Sequence, residues 1–115
     1  MIIGHYKDVP PSVVTHPEAR GATMRVLLGP GSGWDDHVMR VFELEPGGNT
    51  PRHRHDWPHI NYIISGQGSL YLKGEDHGLS AGGYALVPAG EEHQFKNVSD
   101  EPFVFVCIVP VRGHY

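Results

Sequence analysis

The sequence predicts a small all-β protein that closes into a β-barrel. The chain has 115 residues, a length that fits one domain, so a single domain over residues 1–115 is expected. Its 15 glycines and 10 prolines are spread throughout the chain. They divide it into many short segments, as in all-β sandwiches and barrels. No long segment has apolar residues at helical spacing, which argues against a helical fold.

The expected strands follow from short runs of apolar and β-branched residues between turn residues. In chain order they are residues 13–15, 23–28, 37–44, 59–64, 69–73, 84–87, 92–96 and 103–109. The strand at 69–73 is expected to pair with the strand that holds His59, and Asp76-His77-Gly78 is expected to form a hairpin turn. Alternation in the last strand puts Phe105 and Cys107 on one face.

Composition excludes several classes of protein. The net charge of −4 and the absence of a clustered basic face argue against a nucleic-acid partner. No apolar run is long enough to span a membrane, and the N-terminus lacks the pattern of a signal peptide. The single cysteine excludes an internal disulfide framework and fits a reducing compartment, so a cytoplasmic protein is expected.

Histidines cluster in the stretch from Gly48 to Gly66. His53 and His55 are two residues apart, so on a strand their side chains point to the same side. A turn at residues 56–58 separates them from His59, which opens the next apolar run. Imidazole is the commonest metal-ligating side chain, so three imidazoles aimed at one point indicate a metal site. The alternative is a solvated loop that forms part of a basic surface beside Arg52 and Arg54.

A second stretch, residues 82–97, favours the metal site. The first stretch, with Gly47 just before it, has Gly47, His53-X-His55 and Gly66 at the spacing of one motif, and three residues separate His55 from His59. The second has Gly82, Pro88-X-Gly90, His93 and Asn97 at the spacing of another. Together these motifs, over about residues 47–66 and 82–97, resemble the paired motifs of the cupin superfamily. The resemblance covers about residues 38–110 and implies a double-stranded, jelly-roll-like β-barrel with a metal in its mouth.

The resemblance also implies the ligands. His53, His55 and His93 match metal-binding positions, and His59 stands where the family usually has glutamate. Four imidazoles suit Zn, Cu, Fe and Ni, and Mn is the weakest binder by intrinsic affinity. The chain nevertheless resembles small four-histidine cupins that hold manganese. One divalent transition metal per chain is therefore expected, with Mn first, Fe(II) second, and Ni, Cu or Zn as further options. Small cupins commonly pair, so a homodimer is expected, with residues 1–28 as the candidate dimer element.

Other residues are candidates for a substrate pocket. Arg40 either faces inward, where its charge would hold a carboxylate or a substrate oxygen near the metal, or faces outward in a salt bridge. Trp57 lies in the ligand turn and is expected at the pocket mouth. The remaining candidates are expected to line or pack the barrel: Phe42, Tyr62, Phe95, Phe105 and Cys107. No catalytic residue is identified.

Three function classes follow, each with a small-molecule ligand. The first is a metal-dependent oxidoreductase of the dioxygenase type, which is the favoured one. The second is non-redox Lewis-acid chemistry, such as isomerisation, cyclisation or lyase action on an enolisable carbonyl. The third is a non-catalytic cupin that binds a small molecule. Oxygen consumption separates the first class from the other two, and turnover without oxygen identifies the second.

Overall fold

A computed structural model describes residues 1–114 of the chain. Within these residues, nine strands form one antiparallel sheet that curls into a nearly closed barrel. They are β1 (Ser12–Val13), β2 (Arg20–Leu28), β3 (His37–Asn49), β4 (His59–Ser65), β5 (Gln67–Leu72), β6 (Glu75–Ser80), β7 (Tyr84–Val87), β8 (His93–Lys96) and β9 (Phe103–Pro110). Short 3₁₀ helices cover Tyr6–Asp8 and Val111–Gly113. Within the described residues, no helix has the length and apolar character of a membrane span.

Strand β3 is shared between the two halves of the barrel. The strand order along the main path is β6-β5-β8-β3-β9-β4-β7, and β2 also pairs with β3 while carrying β1 on its other side. The first part of β3 pairs with β2 and β9, and its last residue, Asn49, pairs with Lys96 of β8. The segment after β3 is therefore delivered next to the beginning of β8.

The core fills the barrel by strand alternation. On β9, Phe103, Phe105, Cys107 and Val109 are all buried, so Phe105 and Cys107 do share the inward face, as expected. The largest cluster of buried residues consists of Ala22, Leu44, Ile63, Leu70, Val87, Phe95, Phe103 and Phe105. Phe42 packs against both this cluster and a smaller one around Val38, so it lies between the two.

Gly66, which closes the first motif, permits a close approach of two chain segments. Its φ of +84° belongs to the left-handed region that favours glycine. A Cβ placed there would overlap the carbonyl oxygen of Pro102. The tight link from β4 to β5 therefore requires glycine on both grounds.

Two predicted local features are wrong. Strand β5 pairs with β6 and β8, whereas β4, which holds His59, pairs with β7 and β9. Residues 76–78 lie within β6, and the hairpin turns at Lys73 and Gly74 instead. Both turn residues have positive φ, 54° and 78°, as a two-residue hairpin of the commonest type requires.

Candidate metal centre and cavity

The four histidines of the motifs reach one end of the barrel from three segments. His53 and His55 lie on an extended segment after β3, while His59 opens β4 and His93 opens β8. Backbone bonds join His53 and His93 in both directions, at 3.1 and 2.9 Å between nitrogen and oxygen. The Gly90 amide donates to the carbonyl oxygen of His55 at 2.7 Å. The two motifs are thus hydrogen-bonded to each other at the ligand positions.

Three of the four imidazole rings converge on one point. Candidate ligand nitrogens of His53, His55 and His93 all lie within 4.8 Å of one another. His59 is outside this group of three, but its Nε2 lies 3.2 Å from Nε2 of His93, and its ring centroid is 5.4 Å from that of His55. Three histidines are close enough together to hold a metal ion, and the fourth adjoins them.

Hydrogen bonds orient three of these rings. Nδ1 of His55 lies 2.8 Å from the Trp57 carbonyl oxygen, and Nδ1 of His93 lies 2.9 Å from the Glu91 carbonyl oxygen. A carbonyl oxygen only accepts, so both rings carry their proton on Nδ1 and present an unprotonated Nε2 to the centre. For His59 the partner of Nδ1 is the side-chain oxygen of buried Asn61, at 2.7 Å.

The environment keeps the rings neutral. Burial lowers the pKa of His59 to about 3, with the neighbouring His93 as the next cause. His53 retains an exposed edge, yet burial of its ring lowers the pKa to about 4, with His93 and His55 contributing. Burial also lowers the pKa of His55 and of His93. Neutral imidazole is the form that binds metal ions.

This arrangement fits a metal ion. Imidazole nitrogens bind such ions at about 2.0–2.1 Å, so two nitrogens held by one ion lie at most about 4.2 Å apart. The 3.2 Å between Nε2 of His59 and of His93 is within that limit. Since both rings donate from Nδ1, these two nitrogens face each other as acceptors, and a cation between them would satisfy both.

The histidines stand at a cavity of about 540 Å³. Its lining includes Trp57, which stacks on His55 with ring centroids 4.5 Å apart, and Arg40, which faces inward as in the first of the two alternatives. Four further predicted pocket residues line it: Phe42, Phe95, Phe105 and Cys107.

Tyr62, in contrast, lies outside the cavity. Its neighbours Asn61 and Ile63 point into the barrel, so alternation along β4 directs Tyr62 outward, where it is 52% exposed and pairs with Tyr84. The prediction that Tyr62 lines the pocket is therefore wrong.

Some cavity residues had no clear signal in the sequence. His16 and its neighbours Val13, Val14 and Thr15 form part of the lining, although their segment resembles an ordinary N-terminal edge. Asn61, which accepts the hydrogen bond from His59, appears in the sequence only as a polar residue within an apolar run. A polar residue two positions after a proposed ligand, on the same face of a strand, is the available signal for such a partner.

Comparisons with known proteins agree with this geometry. Residues 40–109 match the cupin domain family. The chain is 30% identical over 90 residues to 1-methylthio-D-xylulose 5-phosphate methylsulfurylase of Rhodospirillum rubrum, covering 78% of this chain and 56% of that protein. It is 31% identical over 84 residues to polyketide synthase CurC of Streptomyces cyaneus, covering 71% and 54%. The chain thus spans about half the length of these curated relatives.

A solved structure with a similar fold is the polyketide cyclase RemF from Streptomyces resistomycificus. The TM-score is 0.90 at 32% identity, and the match covers 96% of this chain and 80% of that one. The family match, the barrel and the two histidine motifs lead to one conclusion: the chain belongs to the cupin family.

Proposed function

We propose that this protein is a metal-dependent enzyme that catalyses a non-redox reaction, ring closure or isomerisation, on a small substrate with an enolisable carbonyl. One divalent transition-metal ion would be held by His53, His55, His59 and His93. The observation that carries the proposal is the convergence of three neutral imidazoles, with a fourth beside them, on a largely apolar cavity. No carboxylate appears in the described lining of that cavity.

The neutral ligand set bears on the chemistry. A bound divalent ion would keep its full charge and would lower the pKa of a carbonyl compound or water that it contacts. With no carboxylate in the described lining, the pocket favours electron-rich oxygen groups such as enolates, phenolates and carboxylates. A cavity of about 540 Å³ also has the size of ordinary small-molecule sites.

The aromatic wall gives the cavity its shape. Phe95 and Phe105 stack with centroids 4.4 Å apart, and Phe42 stacks on Phe105 at 5.6 Å. Such a wall offers an apolar surface on which a flat or folded substrate would pack. Ring closure breaks an α-C–H bond, joins that carbon to a carbonyl carbon of the same molecule and leaves a proton on the former carbonyl oxygen, with water carrying the proton between them. A wall that limits extended conformations favours this closure.

His16 is the candidate hydrogen-bond donor to the substrate. Apart from the four proposed ligands, it is the one imidazole in the described lining. Its Nδ1 accepts a hydrogen bond from the Glu18 amide at 3.1 Å, so the neutral ring carries its proton on Nε2. From Nε2 the ring would donate a hydrogen bond to a substrate oxygen.

The similarities to RemF and CurC favour cyclisation among the three expected classes, since both are described by polyketide chemistry. Oxidoreductase activity with Mn or Fe(II) as the metal stays a prediction. No contact among the described cavity residues favours a redox reaction over a non-redox one. Non-catalytic binding is the remaining class.

Metal content and turnover test the proposal together. We expect roughly one divalent ion per chain in protein purified without chelator, and loss of that ion in His59→Ala and His93→Ala. His77→Ala changes an exposed histidine outside the cavity and serves as the control, which should retain the ion.

The same preparations are then incubated with a synthetic 3,5,7-trioxo ester, whose cyclised product absorbs in the near ultraviolet. Metal-dependent cyclisation under anaerobic conditions is the expected result. Oxygen consumption coupled to turnover would instead establish the oxidoreductase. A folded protein that binds none of Mn, Fe, Ni, Cu or Zn would refute the metal centre.

A further inference from the structure

Arg40 places a positive charge inside the cavity. It lies on β3 opposite Cys107 of β9, in a row of residues that point into the barrel. Its guanidinium carbon lies 5.0 Å from the centroid of Phe42, so the cation rests on the aromatic wall. The charge is close enough to the metal centre to help lower the pKa of His53, His55 and His59.

The hydrogen-bond acceptors around this guanidinium are weak. One terminal nitrogen lies 3.1 Å from Sγ of Cys107 and the other lies 4.0 Å from Sδ of Met24. Thiol and thioether sulfurs are poor acceptors. The Nε atom is buried and has no hydrogen-bond partner. Several of the five N–H donors of Arg40 are thus poorly satisfied.

A counter-charge is also missing from the protein side of the cavity. Arg40 is in none of the five ion pairs of the described residues. The other charged residue in the described lining is Arg54, which is also a cation. Burial raises the pKa of the Cys107 thiol, so this sulfur stays neutral at neutral pH.

An incompletely paired, half-buried guanidinium is costly unless a bound group completes it. A carboxylate suits it best, because two oxygens match the planar fork of N–H donors. We propose, on the basis that the cavity admits a small organic substrate as in the proposed function, that Arg40 binds a carboxylate of that substrate. The ligand class is an organic acid whose apolar body lies on Phe42 and Phe105.

The test compares an aromatic acid with its neutral amide, 2-naphthoate against 2-naphthamide, by calorimetric titration. Wild-type protein should bind the acid at least about tenfold more tightly, the range expected for a hydrogen-bonded ion pair. Arg40→Met keeps the length and apolar stem but removes the charge, and should abolish the preference. Arg54→Met removes the other lining cation, which is exposed and near Glu92, and should retain it.

A metal ion would also attract a carboxylate, so each titration is repeated on chelator-treated protein and on His93→Ala. The preference for the acid should persist in both if Arg40 is responsible. These arms separate the two proposals, because loss of the metal site leaves the Arg40 comparison intact. Equal binding of acid and amide by the wild type, or an undiminished preference in Arg40→Met, would refute the carboxylate site.

Wild-type protein provides a measurement that does not depend on the folding of a variant. The Nε–H of Arg40 should give a side-chain NMR signal that moves on addition of 2-naphthoate and stays in place with 2-naphthamide. Arg40→Lys, which keeps the charge but loses the fork, should bind the acid with intermediate affinity. An Nε–H signal whose chemical shift does not change on addition of 2-naphthoate would contradict direct contact.

Discussion

Three of the four proposed metal ligands donate from Nδ1 to an acceptor two residues away along the chain. His55 uses the Trp57 carbonyl oxygen, His93 uses that of Glu91, and His59 uses the Asn61 side chain. These local bonds set which nitrogen is free to bind a metal ion before any ion arrives. The orientation of the centre is therefore encoded mainly in the two short motifs themselves.

The acceptor for His59 is the side chain of Asn61, whereas the other two acceptors are backbone carbonyl oxygens. Substitution of Asn61 therefore tests the role of such a bond directly. Asn61→Leu removes the acceptor for His59 Nδ1–H, and metal affinity should fall about 10- to 100-fold, as for other partners of ligating histidines. Asn61→Asp keeps an oxygen at that place and should retain affinity better. Competition with a fluorescent chelator measures both. Equal affinity in Asn61→Leu and wild type would show that His59 is oriented by packing alone or is not a ligand.

The histidines themselves were predictable from spacing, but their neighbours were not. His53, His55 and His93 fall in motifs whose glycines and proline fix the chain between them. Asn61 and His16 do not occupy positions that the motif glycines and proline define. Their roles depend on which strand face turns inward and on where the N-terminal segment lies, and both are settled by contacts distant in sequence.

The last described turn of the chain supports the ligand loop. In the 3₁₀ helix Val111–Gly113, Gly113 packs against the indole of Trp57, where a Cβ would overlap the ring nitrogen. Trp57 in turn stacks on His55. Arg112 adds an ion pair with Asp56, at 3.6 Å between nitrogen and oxygen.

Gly113→Ala should therefore disturb the metal centre from outside the motifs. The added methyl group forces Trp57 to move, which removes its stack on His55, and we expect metal affinity to fall about 3- to 10-fold. Gly78→Ala is the matched control, because nothing lies within 4 Å of its added Cβ. Tryptophan fluorescence and metal titration report the two steps. An unchanged metal affinity together with a shifted tryptophan spectrum would show that the C-terminal turn does not influence the metal site.

Strand positions could be predicted more fully than strand partners. Runs of apolar residues located β2, β3, β7 and β9 well, because burial of one face imposes alternation. Pairing depends on the path of the whole sheet. The hairpin between β5 and β6 was missed because Lys73 takes a positive φ, a conformation for which asparagine or glycine is the usual signal.

The molecule as a whole has a pH dependence that follows from its neutral histidines. The folded-state pKa values of His59 and His53, about 3 and about 4, lie below the ordinary value of 6.5. As pH falls below 6.5, the unfolded state therefore binds protons first. The free energy of unfolding should be highest above that pH and should fall as pH decreases toward 4, by up to about 1.4 kcal/mol per pH unit for buried His59. The contribution of His53 should be smaller, because solvent screens the exposed edge of its ring.

Urea unfolding of chelator-treated protein at about pH 7.5, 6 and 5 measures this dependence. His59→Gln removes one buried titrating ring and should give a shallower slope than wild type. His77→Gln changes an exposed residue outside the cavity and is the control, which should keep the slope of wild type. Equal slopes in wild type and His59→Gln would show that the loss of stability in acid arises elsewhere.

The expected homodimer through residues 1–28 stays a prediction, which light scattering tests on the same samples.

The N-terminal wall of the cavity has consequences for how such proteins diverge. Strand β1 has two residues and pairs with β2 alone, and Val13, Thr15 and His16 are exposed although they line the cavity. Substitutions there would alter what the cavity accepts while leaving the packed barrel and the four proposed metal ligands in place. In a lineage that acquires a new substrate, early changes should accumulate in this segment, where selection for a stable core is weakest.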